Sequence, residues 1–283
     1  MPANPAPTTT IELMVSFGVH GNERIRTRSY DGICLCVWHG EDMASFRSHN
    51  SWLAVSEALA QAASSGDPVL DVIDVGGGSG ADAVRVAQSG HRVTVVDTST
   101  DALATLHQRA RDAKVEIASV QSDGELITRD MFGTPFDVAL CHGVVEYAED
   151  PVKLVSSISR VLRPGGVVSI VVPGLVASVR HAVSLGDVDE AQRLLDADPS
   201  AWDLVALGPR RYVWSQLEQL MVESGFELIG IRGVRAVSDG ARPEIREENT
   251  PSFDHLLELE KALRSRPEFA AGSGGLQALG RLD

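Results

Sequence analysis

The sequence predicts an α/β protein built on a doubly wound, mostly parallel seven-stranded sheet. Three observations carry that reading. Short apolar runs alternate with amphipathic helical stretches from residue 69 onward. The runs contain few polar residues, as expected of strands covered on both faces. The first run stops at a glycine cluster that opens a helix. The chain has 283 residues, 43% hydrophobic and 23% charged, which is enough apolar material for one large domain.

Residues 1–42 read as a disordered Pro- and Thr-rich tail followed by a β-hairpin. Strand-forming residues at 24–30 and 33–38 flank Asp31-Gly32, a dipeptide suited to a two-residue turn. The apolar arm ICLCVW needs cover, so the hairpin is expected either to contact a second copy of the chain or to close over a cofactor. The main domain is expected over 43–283. It begins with a helix to residue 63, in which Phe46, Trp52, Leu53 and Leu59 recur at helical spacing.

Strands are expected at 69–75, 91–97, 114–120, 136–143 and 167–173. Helices fall after Gly80, over 100–113, and over 152–162, the last closed by Pro164-Gly165-Gly166. Residues 174–211 read as an insertion over the ligand edge of the sheet, with one helix at 187–196. A helix at 213–225, a strand at 226–237, a helix at 254–265 and a strand at 275–282 complete the domain.

Twenty-five basic and 39 acidic residues leave a net charge of −14. Such a chain repels polyphosphate at long range and is not a general nucleic-acid binder. No apolar run approaches the ~20 residues of a membrane span, and MPANPAPTTT has no secretory pattern. Cys34, Cys36 and Cys141 cannot all pair internally, so reduced thiols in the cytoplasm are expected. Cys34, Cys36 and His39 lack a fourth ligand at suitable spacing, and no metal is expected.

The segment Asp74-Val-Gly76-Gly-Gly78-Ser-Gly80 joins a strand to a helix. Glycines let a ligand approach the backbone, and the helix start offers free N–H groups. Read as G-x-G-x-x-A (Gly76, Gly78, Ala81), the loop suits a dinucleotide. Read as D-x-G-x-G-x-G, it resembles the first motif of class I S-adenosylmethionine-dependent methyltransferases, which share a Rossmann-like fold. Asp97 ends the second strand, where a carboxylate can accept bonds from two ribose hydroxyls under either reading.

Later residues separate the two. FDVALCHGVVEYAEDP (136–151) and RVLRPGGVVSIVVP (160–173) strongly resemble the second half of the methyltransferase superfamily. That resemblance implies S-adenosylmethionine as cofactor. It places Asp74, Gly76, Gly78, Gly80, Asp97, Thr98, Asp123, Gly124 and His142 around it, with Asp123 near adenine.

FRSHNSW (46–52), GFELIGIRGVR (225–235) and FDHLLELEKALRSRPEF (253–269) are further similar to the bacterial tRNA 5-carboxymethoxyuridine methyltransferase family, which esterifies a carboxylate on a modified wobble uridine. The resemblance implies that Arg47 binds the cofactor carboxylate and that Arg235 pairs with an acceptor carboxylate. The sequence departs from that family at SDGAR (238–242), VVPGLV (171–176) and GSGGLQALGRLD (272–283). With the net charge, these departures favour methyl transfer to an oxygen of a small molecule, a carboxylate or hydroxyl, over tRNA. Two alternatives stay open: the tRNA enzyme itself, and an S-adenosylmethionine-binding protein with changed chemistry.

A carboxylate acceptor is already ionised near neutral pH, whereas a hydroxyl needs a base. His142, at the end of the fourth strand, is the candidate base; its other reading is a wall residue with no proton role. Glu146 and Tyr147 share that edge, and Tyr147 is expected at the adenine side or in the acceptor pocket. Tyr212, Trp214 and Arg210-Arg211 follow the insertion and could cover the site.

Overall fold

A computed structural model describes residues 41–63, 69–248 and 250–283, with the side chains of 41–47 and 243 outside the description. The N-terminal tail and hairpin, with Cys34, Cys36 and His39, lie outside the described residues.

Helix α1 (Glu41–Ala63) leads into β1 (Asp71–Val75), α2 (Ala81–Gln88), β2 (Arg92–Asp97), α3 (Thr100–Ala113), β3 (Ala118–Gln121), β4 (Phe136–His142), α4 (Pro151–Val161) and β5 (Leu162–Pro173). The segment after β5 holds α5 (Leu175–Ser184), α6 (Val188–Asp196) and the short α7 (Leu204–Leu207). Then come α8 (Trp214–Glu223), β6 (Phe226–Val234), α9 (Pro251–Leu263), α10 (Pro267–Ala270) and β7 (Gly275–Leu282). The seven strands form one sheet in the order β3-β2-β1-β4-β5-β7-β6, with only β7 antiparallel to its neighbours. The chain order reverses between β1 and β4, and a cleft opens at the carboxyl ends of the strands there.

Apolar strands need cover on both faces. One face packs Val72, Val95, Val138, Leu140 and Leu279 against α1, α2 and α3. The other packs Ile73, Val75, Ala139, Cys141 and Ile170 against α4 and α8. Fully buried side chains such as Leu106 and Ile158 each contribute ~2 kcal/mol by leaving water. α1 lies on β4 and β5 and reaches β6. Beneath it, one register row crosses the sheet at its carboxyl end: His142, Val171, Gln277 and Arg232.

Several boundaries differ from those read in sequence, each for a local reason. β3 starts at Ala118 rather than 114, because Lys114 takes a left-handed conformation (φ 57°) that ends α3. β6 stops at Val234 rather than 237, because Arg235 is also left-handed (φ 58°). β5 begins at Leu162, and its pairing with β4 is irregular between Phe136 and Val138; Pro164-Gly165-Gly166 shape that entry instead of standing before the strand. The insertion holds α5, which its valine-rich sequence disguised, since β-branched residues have weak helix propensity.

Candidate functional site

The cleft begins at the turn from β1 into α2. Gly76 is left-handed (φ 74°) and donates its N–H to Val96 O at 2.7 Å, which ties the loop to β2. A β-carbon there would lie 2.2 Å from Val144 Cγ2, so the loop and the segment after β4 close on one another only through glycine. Gly78 (φ 55°) differs: a β-carbon on it would come no nearer than 3.9 Å to Asp97 Oδ2 and would project into open space. The loop is therefore bare where a ligand would lie against it.

Asp97, at the tip of β2, accepts from Gly78 N at 2.9 Å and from Ser99 N at 2.8 Å, one bond to each oxygen. An ionised carboxylate has about four acceptor sites, so about two remain for a ligand. Asp123 Oδ1 accepts from Glu125 N at 2.9 Å and caps the single 3-10 turn over Gly124–Leu126. Asp97, Thr98, Ser122, Asp123, Gly124, Gly143, Val144 and Tyr147 all line one cleft of about 540 Å³. That volume suits a nucleoside-sized ligand, since such sites run to ~300–1,000 Å³. Tyr147 is 61% exposed at the rim.

The floor of this half is acidic. Burial first, and then Asp82 and Asp97, push the Asp74 carboxyl up to about 7. Asp74 is buried and its side chain has no hydrogen-bond partner among the described residues. Asp82, in the first turn of α2, is contacted by Ser51 Oγ from α1, and burial also raises its carboxyl. Trp52 stacks under Arg85 at 4.3 Å. Arg47 lies on α1, with its side chain outside the described residues. These carboxylates repel one another, and a cationic ligand would relieve them.

The β4–β6 half has the opposite character. His142 Nε2 lies 2.8 Å from Ser169 Oγ, and Gln277 Nε2 donates to the same oxygen at 2.9 Å and to Ala54 O at 2.9 Å. Arg264 donates to Gln277 Oε1 and pairs with Glu57 at 3.5 Å; Arg232 pairs with Glu57 at 3.1 Å. Burial, with Arg264 adding to it, holds the His142 imidazole down near pKa 4, so the ring is neutral at pH 7.

Glu146 is buried in the turn after β4. Burial raises its carboxyl to about 7 against the opposing pull of Arg211, and its Oε2 has no hydrogen-bond partner among the described residues. Arg211 is placed nearby because Arg210 N donates to Glu146 O at 2.8 Å, and Arg211 Nε is likewise buried with no hydrogen-bond partner among the described residues. Arg235 is half-buried and pairs with Asp239 at 2.9 Å. The thiol of Cys141 is buried and raised, hence unreactive.

The structure thus gathers Gly76, Asp97, Thr98, Asp123, Gly124 and Tyr147 around one cleft; Gly78 joins it through its bond to Asp97, and Asp74 lies against Gly77 of the loop rather than in the cleft lining. His142 stands one residue before the cleft-lining Gly143, and Gly80 lies at the helix entry behind the loop. Arg235 is separated from β4 by β5 and β7. Sequence reading missed Ser169, Gln277, Arg264 and Glu57. The nearest signal was a serine and a glutamine inside otherwise apolar strands.

Residues 73–170 match the methyltransferase domain family. The tRNA 5-carboxymethoxyuridine methyltransferase of Escherichia coli (strain K12) is 28% identical over 244 residues, 83% of this chain and 87% of that protein. Among solved structures, magnesium protoporphyrin IX methyltransferase from Synechocystis, determined with bound SAH, superposes with a TM-score of 0.55 at 12% identity, covering 87% of this chain and 88% of that one. A [4+2]-cyclase superposes with a TM-score of 0.53 at 18% identity, covering 85% and 81%. The structural likenesses establish the fold, which by itself does not fix the reaction. The matched domain and the relative spanning most of the chain agree: residues 73–170 are a methyltransferase domain, and the chain is an S-adenosylmethionine-dependent methyltransferase that resembles the tRNA 5-carboxymethoxyuridine enzyme.

Proposed function

We propose that the protein methylates an oxygen of a small-molecule acceptor, a carboxylate, held beyond the ends of β4 and β5. The observation that carries this reading is the contrast along the sheet edge. Carboxylates crowd the glycine turn at β1 and β2, whereas a neutral imidazole and two guanidiniums that share Glu57 lie at β4–β6. A sulfonium and an ammonium suit the first; an anionic oxygen suits the second.

In this reading Asp97 takes two ribose hydroxyls on its remaining lone pairs, and the open face of the glycine loop at Gly78 lies against the cofactor. Thr98, Asp123 and Gly124 border the adenine, and Arg47 takes the cofactor carboxylate as a charge-assisted fork. Asp74 stands behind the loop and supplies negative potential. When bound, the cofactor supplies an electrophilic methyl group. The protein's share is to orient the acceptor oxygen and exclude water, and such positioning can account for most of the rate gain. A carboxylate needs no base, in keeping with a His142 ring whose pKa lies far below neutrality.

The tRNA reading has one observation of its own, the 28% identity across 83% of the chain. Methyl-labelled cofactor offered to a panel of small carboxylic acids and to bulk tRNA separates the two. The expected product is a base-labile methyl ester on a small acid. Label confined to tRNA, with binding that weakens steeply as salt rises, would establish the alternative.

A further inference from the structure

The polar strip between α1 and the sheet is closed, and its hydrogens can be assigned by elimination. Arg264 can only donate, so the atom of Gln277 that meets it is the amide oxygen. Ala54 O can only accept, so the atom that meets it is the amide nitrogen. Both ends of the amide agree on one orientation. Its two N–H bonds are then spent, one on Ala54 O and one on Ser169 Oγ. Ser169 is fully buried, and its hydroxyl hydrogen has one described acceptor within reach, His142 Nε2 at 2.8 Å. Were Nε2 protonated, it would donate to Ser169 and leave that hydroxyl hydrogen buried with no partner.

We infer that the buried chain Glu57–Arg264–Gln277–Ser169–His142 fixes the imidazole as its Nδ1–H tautomer, so that the ring offers the acceptor a hydrogen-bond donor and takes no proton from it. Ser169 and Gln277 are positioning residues in this scheme. Nδ1 has no protein partner among the described residues, and His142 is partly exposed beside the cleft-lining Gly143. The charged groups around the strip are Glu57 on α1, Arg232 on β6, Arg264 after α9 and Glu260 within α9. Glu260 is already bonded to the N–H groups of Ala236, Val237 and Ser238. The nearest of them to weigh on the ring is Arg264, which with burial opposes a second proton.

The consequence deepens the proposed function, and rests on it only for the identity of the acceptor. A donor at the mouth of β4 selects an acceptor atom that already carries a free lone pair and negative charge. A neutral hydroxyl that must lose its proton finds no proton acceptor in that ring.

The test is the set of proton–nitrogen correlation spectra of the histidine rings in the isotope-labelled full chain, with and without S-adenosylhomocysteine. His142 is assigned by the signals lost in His142→Asn. The expected result is a protonated Nδ1 and a bare Nε2 that persist from about pH 5 to about pH 8, the range in which a free histidine titrates. In Ser169→Ala the ring is expected to shift toward the Nε2–H form; if that variant does not fold, the wild-type spectrum decides alone. An Nε2–H ring in the wild type, a ring that charges within that range, or a pure Nδ1–H ring in a folded Ser169→Ala protein overturns the relay. Failure of the wild type to bind S-adenosylmethionine would instead sink the proposed function, and the ring spectrum would still decide the tautomer.

Discussion

The two halves of the carboxyl edge of the sheet are built from opposite chemistry. At β1 and β2, Asp74, Asp82 and Asp97 crowd a glycine turn, and burial lifts Asp74 to about 7. At β4 to β6, His142, Gln277, Arg232 and Arg264 form a strip tied together through Ser169 and through the ion pairs of both arginines with Glu57. On the proposed function, the crowded carboxylates of the first half favour a cationic ligand and the bonded strip of the second shapes the acceptor side.

The arginine strip is the stronger structural element. Arg264→Ala would leave Gln277 Oε1 buried without its donor and Glu57 with one guanidinium, and is expected to cost about 3 kcal/mol of fold stability by denaturant titration. A loss below about 0.5 kcal/mol, typical of a surface site, would show the strip to be incidental.

At the other end, Asp97→Ala is expected to weaken S-adenosylmethionine binding by about 1–3 kcal/mol in calorimetry while leaving the fold intact. Unchanged affinity would remove Asp97 from the ribose site.

Asp74 gives the contrast a pH signature. Its folded pKa is raised from 3.8 to about 7. Its contribution to fold stability is therefore present below the ordinary carboxylate range and lost as pH rises through about 7. Binding has the reverse sign, because a cationic ligand favours the ionised carboxylate. S-adenosylmethionine affinity is expected to climb as pH approaches 7, by up to about tenfold per pH unit, then level off. Asp74→Asn should flatten both curves; a wild-type affinity that falls over that range contradicts the electrostatic reading.

The smallest effect is expected at the rim. Tyr147→Ala removes an exposed ring and should change cofactor affinity by under ~1 kcal/mol, again by calorimetry. A larger loss would place Tyr147 over the bound nucleoside.

The β1–β2 half was legible in sequence because its parts are local. Gly76, Gly78 and Asp97 fall within one strand–helix–strand unit, and the spacing of glycines after an apolar run reflects backbone geometry. The β4–β6 half was not. Ser169 and Gln277 stand 108 residues apart in the chain, and Gln277 and Ala54 stand 223 apart. No periodicity links them; only the return of β7 between β5 and β6 makes them neighbours. His142 was visible as a mouth residue. Its proton state was not, because that depends on a partner's partner. The early end of β6 was hidden for a different reason: a left-handed arginine has no sequence mark, whereas a left-handed glycine is at least a glycine.

The central claim is that the turn from β1 into α2 holds an adenosyl sulfonium. Calorimetric titration of the full chain with S-adenosylmethionine and, separately, with a nicotinamide dinucleotide tests it most directly. The account requires stoichiometric binding of the first, weakened in Asp97→Ala, and none of the second. Uptake of the dinucleotide with indifference to the sulfonium would contradict it.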